Sequence, residues 1–405
     1  MNIAAMNLPR PRLPLAPVLS RDSLRAGSVA RPPSVLDAGQ VRLVTSGRIA
    51  IALALERMGV GAGDEVLLPA YHSPSMVPPV LWRQATPRFY RLRADTSVDL
   101  DDITRRATPA TRVLVVTHYF GFPQAMAALR AWCDARGIFL LEDCAHAFFG
   151  AVDGRPLGTW GDYAIASSMK FFPVHEGGCL VSARHRLDGV TLRGAGPGFE
   201  AKALLAVLET SFRHGRLALL GRLLRPVLRL RDLAWGALKR RRAAAPQAQA
   251  QALAPASSDS GFEFEPRWLD KRSAWFSRLL VRSLPRAAIG ARRRRHYQAL
   301  EQMVRGLPGC RPLYPTLPEG VYPWQFPLLC DDPEALFMRL QQAGVPLVRF
   351  AWQRWPAMDA GTCEASSMLA RSVLALPCHQ ELRGDELEWI GVQLRQALSM
   401  GAEAS

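Results

Sequence analysis

The sequence predicts an α/β protein, a large domain built on a mainly parallel sheet followed by a smaller C-terminal α+β domain. Between Val41 and Val181, short apolar runs alternate with segments of helical periodicity. That is the pattern of parallel strands whose crossover helices cover both faces of a sheet. Polar residues gather at or just past the carboxyl ends of those runs, where open α/β sheets place their ligands. The composition agrees: 405 residues, 49% apolar and 21% charged, describe a globular chain. At roughly 150 residues per domain this is two or three domains, with a core large enough to need no disulfide or metal staple.

The elements follow in order. Residues 1–35, rich in Pro and Arg, read as a flexible tail. The large domain spans 36–200. Ser46-Gly47-Arg48 opens a helix to Met58, with Ile49, Leu53 and Leu55 on its apolar face. Gly61–Asp64 is a turn, Glu65–Pro69 a strand and Ser75–Gln84 a second helix. Arg112–Thr117 is a buried strand, Ala125–Arg136 a helix, and Gly137–Asp143, Tyr163–Ser168 and Gly178–Ser182 are further strands. Residues 201–260 form a basic helical insert, broken at Pro226 and ending in a low-complexity linker over 243–260. The C-terminal domain, 261–405, holds an Arg-rich helix through Arg292–Arg295. Strands at Tyr322–Leu329 and Val345–Phe350 and helices at Pro333–Gln342 and Glu386–Leu398 complete it.

The formal net charge is +16, and residues 201–245 alone hold eleven basic and two acidic side chains. No nucleic-acid-binding fold or set of stacking aromatics accompanies that segment, so nucleic acid is not an expected partner. Leucines alternate with its arginines, as in a basic amphipathic helix pair lying on anionic lipid. Leucines packed on the core beneath a solvated arginine face, or arginines turned toward a substrate phosphate, would use the same pattern. Seven single cysteines, with no C-x-x-C pair and no zinc-spaced His/Cys cluster, favour reduced thiols in a cytosolic enzyme and no metal site. No apolar run reaches about 18 residues, and no signal-peptide pattern opens the chain. The expected location is the cytoplasm, with peripheral contact at the inner membrane face if the insert binds lipid.

Four short motifs carry chemistry. Ser46-Gly47-Arg48 at a helix start presents free amides to a phosphate, although an ordinary N-cap looks the same. Glu142-Asp143-Cys144-Ala145-His146 closes a buried strand, where an acid needs a cationic partner or costs several kcal/mol; a structural ion pair would also serve. Ser167-Ser168-Met169-Lys170 sets a lysine just past a strand end, a place for a solvated lysine or a Schiff-base one. His175-Glu176-Gly177-Gly178 supplies the glycines of a tight turn re-entering the sheet.

In this order, with Gly63-Asp64-Glu65-Val66 before the second strand, the chain resembles the pyridoxal-phosphate sugar aminotransferases of the DegT/DnrJ/StrS family. The resemblance runs from Val41 to Val181. It resumes at Arg292–Tyr297, Trp324-Gln325-Phe326-Pro327 and Leu376-Pro377-Cys378-His379-Gln380. It implies the fold type I of pyridoxal-phosphate transferases, with pyridoxal 5'-phosphate as cofactor. It also implies transfer of an amino group from an amino acid, commonly glutamate, to a keto nucleotide-sugar, in a homodimer whose sites borrow partner residues. Polysaccharide or glycoconjugate synthesis is the implied setting.

Residue by residue, the resemblance implies Asp143 against the pyridine nitrogen and Lys170 as the Schiff-base lysine that also moves the proton. His146 takes the place of the family's Gln or His near the phenolic oxygen, and also reads as a buried structural histidine. Gly47, Arg48 and Ser167 stand at the phosphate. Tyr71 and His72 fall where the family stacks a ring on the cofactor, and read equally as core packing. The sequence departs from the family at three points. Arg48 replaces the Thr of Ser-Gly-Thr, and a guanidinium can bind phosphate bidentately or point outward. Ser167 lies three residues before the lysine rather than five, and Phe171 follows the lysine in place of Asn. Lys170 itself, where dehydratase members carry histidine, favours transamination. The competing reading is a membrane-surface assembly protein of a polysaccharide pathway that retains the fold.

Overall fold

Runs of apolar side chains flanked by polar turns gain most when both faces are covered, and here they pair into one seven-stranded sheet. Its strands are β1 (Gln40–Val44), β2 (Glu65–Pro69), β3 (Thr86–Tyr90), β4 (Thr111–Thr117) and β5 (Phe139–Asp143). A small separate hairpin, β6 (Ala151–Val152) and β7 (Arg155–Pro156), precedes β8 (Tyr163–Ser167) and β9 (Gly178–Ser182). The sheet order is β1-β9-β8-β5-β4-β2-β3. β3, β2, β4, β5 and β8 are parallel, and β9 is antiparallel to both of its neighbours. Every strand but β9 therefore ends at the same edge. The computed structural model describes residues 13–26, 30–226, 229, 264–356, 358 and 362–402.

The crossover helices are α1 (Gly47–Arg57), α2 (Val77–Trp82), α3 (Leu100–Arg106) and α4 (Met126–Asp134). α1 is buried from Ile49 to Leu55, because it packs on β8 and β9 and is covered by α2. Its N-cap Ser46 accepts a hydrogen bond from the amide of Ile49 at 3.2 Å. The helix expected over Ser75–Gln84 is shorter than that reading: a 3-10 turn fills Pro74–Met76, and Gln84 sits at a φ of 59°. The edge strand β3 was not expected from the sequence, because Pro87 and alternating exposure weaken its signal.

After β9, α5 (Pro197–Arg213) buries Ala203, Val207 and Ser211 and packs on α7 (Trp275–Ser283). Over α5 the leucine-rich insert thus packs on the core. The following helix, α6 (218–226), is largely exposed. The rest of the basic run and the linker 243–260 lie outside the described residues. No described helix is long and apolar enough to cross a membrane.

The C-terminal part contains α8 (Arg286–Val304), β10 (Cys310–Pro312), β11 (Gln325–Cys330), α9 (Pro333–Gln342), α10 (Glu364–Ser372), β12 (Val373–Pro377) and α11 (Gly384–Ala402). β10, β11 and β12 form an antiparallel sheet. Tyr297, Phe326, Leu376, Ile390 and Leu394 make its own core, while Val348, Phe350 and Val373 join the core of the large sheet. The strand expected at Val345–Phe350 reduces to one bridge between Val348 and Ala375, because Pro346 cannot donate to a ladder. The flexible-tail reading of 1–35 is corrected over residues 13–26, while 1–12 lie outside the described residues. Leu13 and Val18 are buried, Ser20 and Ser23 donate to the Glu381 carboxylate at 2.6 and 2.9 Å, and a His379 ring nitrogen meets the Pro14 carbonyl at 3.0 Å. Apolar side chains among the prolines hold this segment down.

Gly178 lets β9 pass under the start of α1, for a Cβ there would stand 2.6 Å from the Gly47 nitrogen. Gly178→Ala is expected to cost about 3 kcal/mol in thermal or denaturant unfolding, the upper range of overpacking. Gly61→Ala, where a Cβ meets nothing within 4 Å, is expected to stay within about 0.5 kcal/mol of the wild type.

Candidate active site

The shared edge of the sheet assembles the polar groups. β5 delivers Asp143, whose Oδ2 accepts from the Thr117 hydroxyl of β4 at 3.2 Å and whose Oδ1 accepts from the Ala145 amide at 2.9 Å. Burial pushes the Asp143 carboxyl up, opposed by that amide, the Lys170 charge and the Thr117 hydroxyl. β8 ends at Ser167 and turns through 168–170 into Lys170, itself buried. The Lys170 Nζ lies 4.5 Å from the ring centre of Trp324. The His146 ring is 3.9 Å from Trp324 and 4.6 Å from Phe350, centre to centre. Burial and the Lys170 charge hold His146 neutral, and its Nδ1 is buried with no hydrogen-bond partner.

Two of the expected ring residues separate. Tyr71 joins this cluster through Phe350 and Tyr119, at 4.9 and 5.3 Å. His72 instead stacks on Phe89 of β3 at 4.7 Å, with Nδ1 near the Ala70 carbonyl, and burial takes it down to about 4. The phosphate residues divide similarly. A Cβ on Gly47 would lie 4.0 Å from that of Ser167, so the first amides of α1 and this serine are neighbours. Arg48 lines a cleft with Glu176, Phe199, Phe264 and Trp268. The structure thus brings together Lys170, Asp143, His146 and Tyr71, sets Gly47 beside Ser167, and leaves His72 against the packing around β3.

This donor set fits pyridoxal phosphate. It offers the amine of a buried lysine, a carboxylate at a strand end, an unpartnered imidazole nitrogen, and a helix N-terminus beside a serine. The chain holds only four lysines, at 170, 202, 239 and 271, and Lys170 is the only buried one among the described residues. That scarcity was a readable signal for Lys170.

Glu142 has another role. Its Oε1 accepts from the Gly158 amide at 2.7 Å and meets His118 Nε2 at 3.1 Å, and its Oε2 accepts from the amides of Trp160 and Gly161 at 3.0 and 3.1 Å. The His118 Nδ1 accepts from the Gln124 amide, so Nε2 carries the hydrogen. The cationic partner expected for this acid is replaced by backbone amides and one imidazole. His118, Glu142 and Cys144 gather their ligand atoms within 4.8 Å, but both carboxylate oxygens are already engaged, and the cluster reads as a structural clamp.

Arg293, unexpected from the sequence as a site residue, supports the turn that bears Lys170. It lies four residues after Ile289 and four before Tyr297 on the buried face of α8. Helical spacing therefore singled it out from the run 292–295. Its guanidinium donates to the carbonyls of Lys170 (2.8 Å), Pro323 (3.0 Å) and Trp324 (3.1 Å) and to the Gln380 amide oxygen (2.8 Å). Arg293→Met leaves four buried acceptors without this donor, and unfolding is expected to show a loss of roughly 3–5 kcal/mol.

Glu176 gives a pH signature. Its Oε1 accepts from the Ala274 amide at 3.1 Å, and burial pushes it up to about 7, against hydrogen bonds from Ser277 and Ala274. A folded value above the ordinary 4.5 means the bound proton stabilises the fold at low pH. That stabilisation is lost as pH rises through about 7. Glu176→Gln should therefore match the wild type in Tm near pH 4 and gain on it steadily toward pH 8.

Comparison with known proteins agrees with this geometry. Residues 36–195 match the model of the DegT/DnrJ/EryC1/StrS aminotransferase family. The chain is 32% identical over 142 residues to the GDP-perosamine synthase of Vibrio cholerae, covering 34% of this chain and 39% of that one. It is 33% identical over 168 residues to a dTDP-4-dehydro-2,3,6-trideoxy-D-glucose 4-aminotransferase of Saccharopolyspora spinosa, covering 41% and 44%. The match thus spans about two fifths of these relatives' length. The likeness in fold is longer: a putative sugar aminotransferase from Streptococcus pneumoniae, solved in its PLP form, superposes with a TM-score of 0.64 at 16% identity, over 96% of this chain and 99% of that one. Residues 36–195 thus resemble the DegT/DnrJ/EryC1/StrS aminotransferase family, and the chain shares the fold of the Streptococcus pneumoniae protein.

Proposed function

We propose that the protein is a pyridoxal-phosphate-dependent aminotransferase that moves an amino group from an amino acid, with glutamate as the expected donor, to a keto nucleotide-sugar. It works in the cytoplasm, as a homodimer, in polysaccharide or glycoconjugate synthesis. The observation that carries this reading is a buried Lys170 that follows β8 beneath Trp324, with Asp143 at the end of the neighbouring strand β5 on the same edge of the sheet. The relatives' names, a GDP-perosamine synthase and a dTDP-sugar aminotransferase, support the substrate class. On α7, Trp275 and Leu279 are 49% and 48% exposed one turn apart, which supports a subunit contact.

The cofactor, when bound, supplies a protonated ring that withdraws electrons from the substrate carbon losing its proton. The protein's part lies in named groups. Asp143, fixed by Thr117 and the Ala145 amide, would face the ring nitrogen and favour its protonated form. Lys170 would hold the cofactor through Nζ and, when released, would carry a proton at that atom. The amides of Gly47 and Arg48 and the Ser167 hydroxyl would hold the phosphate. Tyr71, Trp324 and Phe350 pack around His146 and keep water from it, and neutral His146 would offer Nδ1 to the cofactor.

Purified protein supplied with pyridoxal phosphate is expected to absorb at roughly 410–430 nm, and Lys170→Ala to lose that band while keeping its far-ultraviolet dichroism. Asp143→Asn is expected to lower turnover at least about a hundredfold, or roughly 2.7 kcal/mol of transition-state stabilisation. A panel of keto nucleotide-sugars with glutamate, read by mass, identifies the substrate. Protein that stays colourless with Lys170 unmodified would leave the assembly-protein reading instead.

A further inference from the structure

α6 presents two different flanks. Gly221 faces α5, for a Cβ there would stand 2.9 Å from the Phe212 ring. At about 100° per residue, Leu219 and Leu223 fall nearly opposite Gly221, and they are 58% and 76% exposed. On the same count Arg222 flanks that leucine pair, about 80° from its midpoint, while Arg225 lies farther round, about 140° away, and both are exposed. A segment far away in sequence continues the same surface. Ser20, Arg21, Asp22 and Arg25 and residues 215–219 wall one cleft of about 920 Å³ together with Arg292 and Arg295 of α8 and the start of α11. In that segment Arg21 and Arg25 are exposed, and Leu24 is 70% exposed.

The acids on this face are already engaged. Asp22 pairs with Arg25 at 2.8 Å, Glu381 is held by Ser20 and Ser23, and Glu386 takes both bonds of Arg216 at 2.9 and 2.7 Å. Among the described residues no carboxylate pairs with Arg21, Arg222, Arg225 or Arg295. Bare leucines beside unneutralised arginines match one kind of partner, an apolar layer under a sheet of negative charge. A soluble anion would leave the leucines without a role.

We propose that the face formed by residues 21–25 and α6 docks the protein on an anionic membrane surface, Leu24, Leu219 and Leu223 entering the headgroup layer and the arginines pairing with lipid phosphates. This goes beyond the catalytic reading and does not depend on it. Docking would hold the active site close to any substrate or acceptor that is itself bound to lipid.

The test is co-sedimentation of the full chain with phosphatidylcholine vesicles, with or without a minority of phosphatidylglycerol, alongside its mass by light scattering. The wild type is expected to sediment with anionic vesicles at an ionic strength of roughly 0.01 M, where the Debye length is about 30 Å, and to be released at about 1 M. It should ignore neutral vesicles. Leu219→Asp/Leu223→Asp and, separately, Arg21→Glu/Arg25→Glu should each weaken partition about tenfold or more with the solution mass unchanged. The proposal is overturned if the wild type ignores anionic vesicles at low salt, or if either double variant binds as the wild type does. A lower mass for the leucine variant would equally overturn it, because the face would then be an interface between copies of this chain.

Discussion

A guanidinium fully removed from solvent, with no carboxylate bonded to it, is costly to fold, and Arg293 is such a group. Burial draws it down to about 10, with only the more distant Cys378 and Glu381 favouring its charge. Hydrogen bonds to four oxygens and the face of Phe171, 4.4 Å away, offset that cost. The oxygens belong to three segments: the turn bearing Lys170, the entry to β11 with Trp324, and the corner after β12 with Gln380. Gln380 closes the loop by donating to the Phe171 carbonyl at 2.9 Å. The bonds that make the charge tolerable therefore also fix where the lysine stands relative to its aromatic wall.

The rest of the site depends on that placement. Lys170 emerges beneath Trp324, and Trp324 covers His146. Phe350 and Tyr71 complete the wall, so the lysine and Asp143 share a region from which water is excluded. Burial there disfavours the charged Asp143 carboxylate, and the Ala145 amide and the Thr117 hydroxyl oppose that. On the other side of the sheet edge, Gly178 allows β9 to pass closely beneath α1, bringing the helix N-terminus next to Ser167.

The legible parts of the chain were those where one strong local signal suffices. β2, β4, β5, β8 and β9 are nearly continuous apolar runs, and each appears as expected. β3 alternates at an edge and holds a proline, so its pattern competes with that of a loop. Pro346 shows the reverse failure, an apolar run that cannot make a ladder. Among site residues, Lys170 and Asp143 follow strand ends and could be found in order. Tyr71 and His72 are sequence neighbours just past β2, where the chain bends, and their rings meet different partners, Phe350 and Phe89. Trp324, Phe350 and Arg293 reach the site across more than a hundred residues of sequence, a relation no local pattern carries.

The central claim is that Lys170, placed by these contacts, is the amine to which pyridoxal phosphate binds. Borohydride reduction of the cofactor-loaded protein followed by peptide mass mapping tests this directly, since only Lys170, Lys202, Lys239 and Lys271 can react as side-chain amines. The expected result is one phosphopyridoxyl group on the peptide containing Lys170 and none on the other three. Label on another lysine, or none on any, would contradict the account.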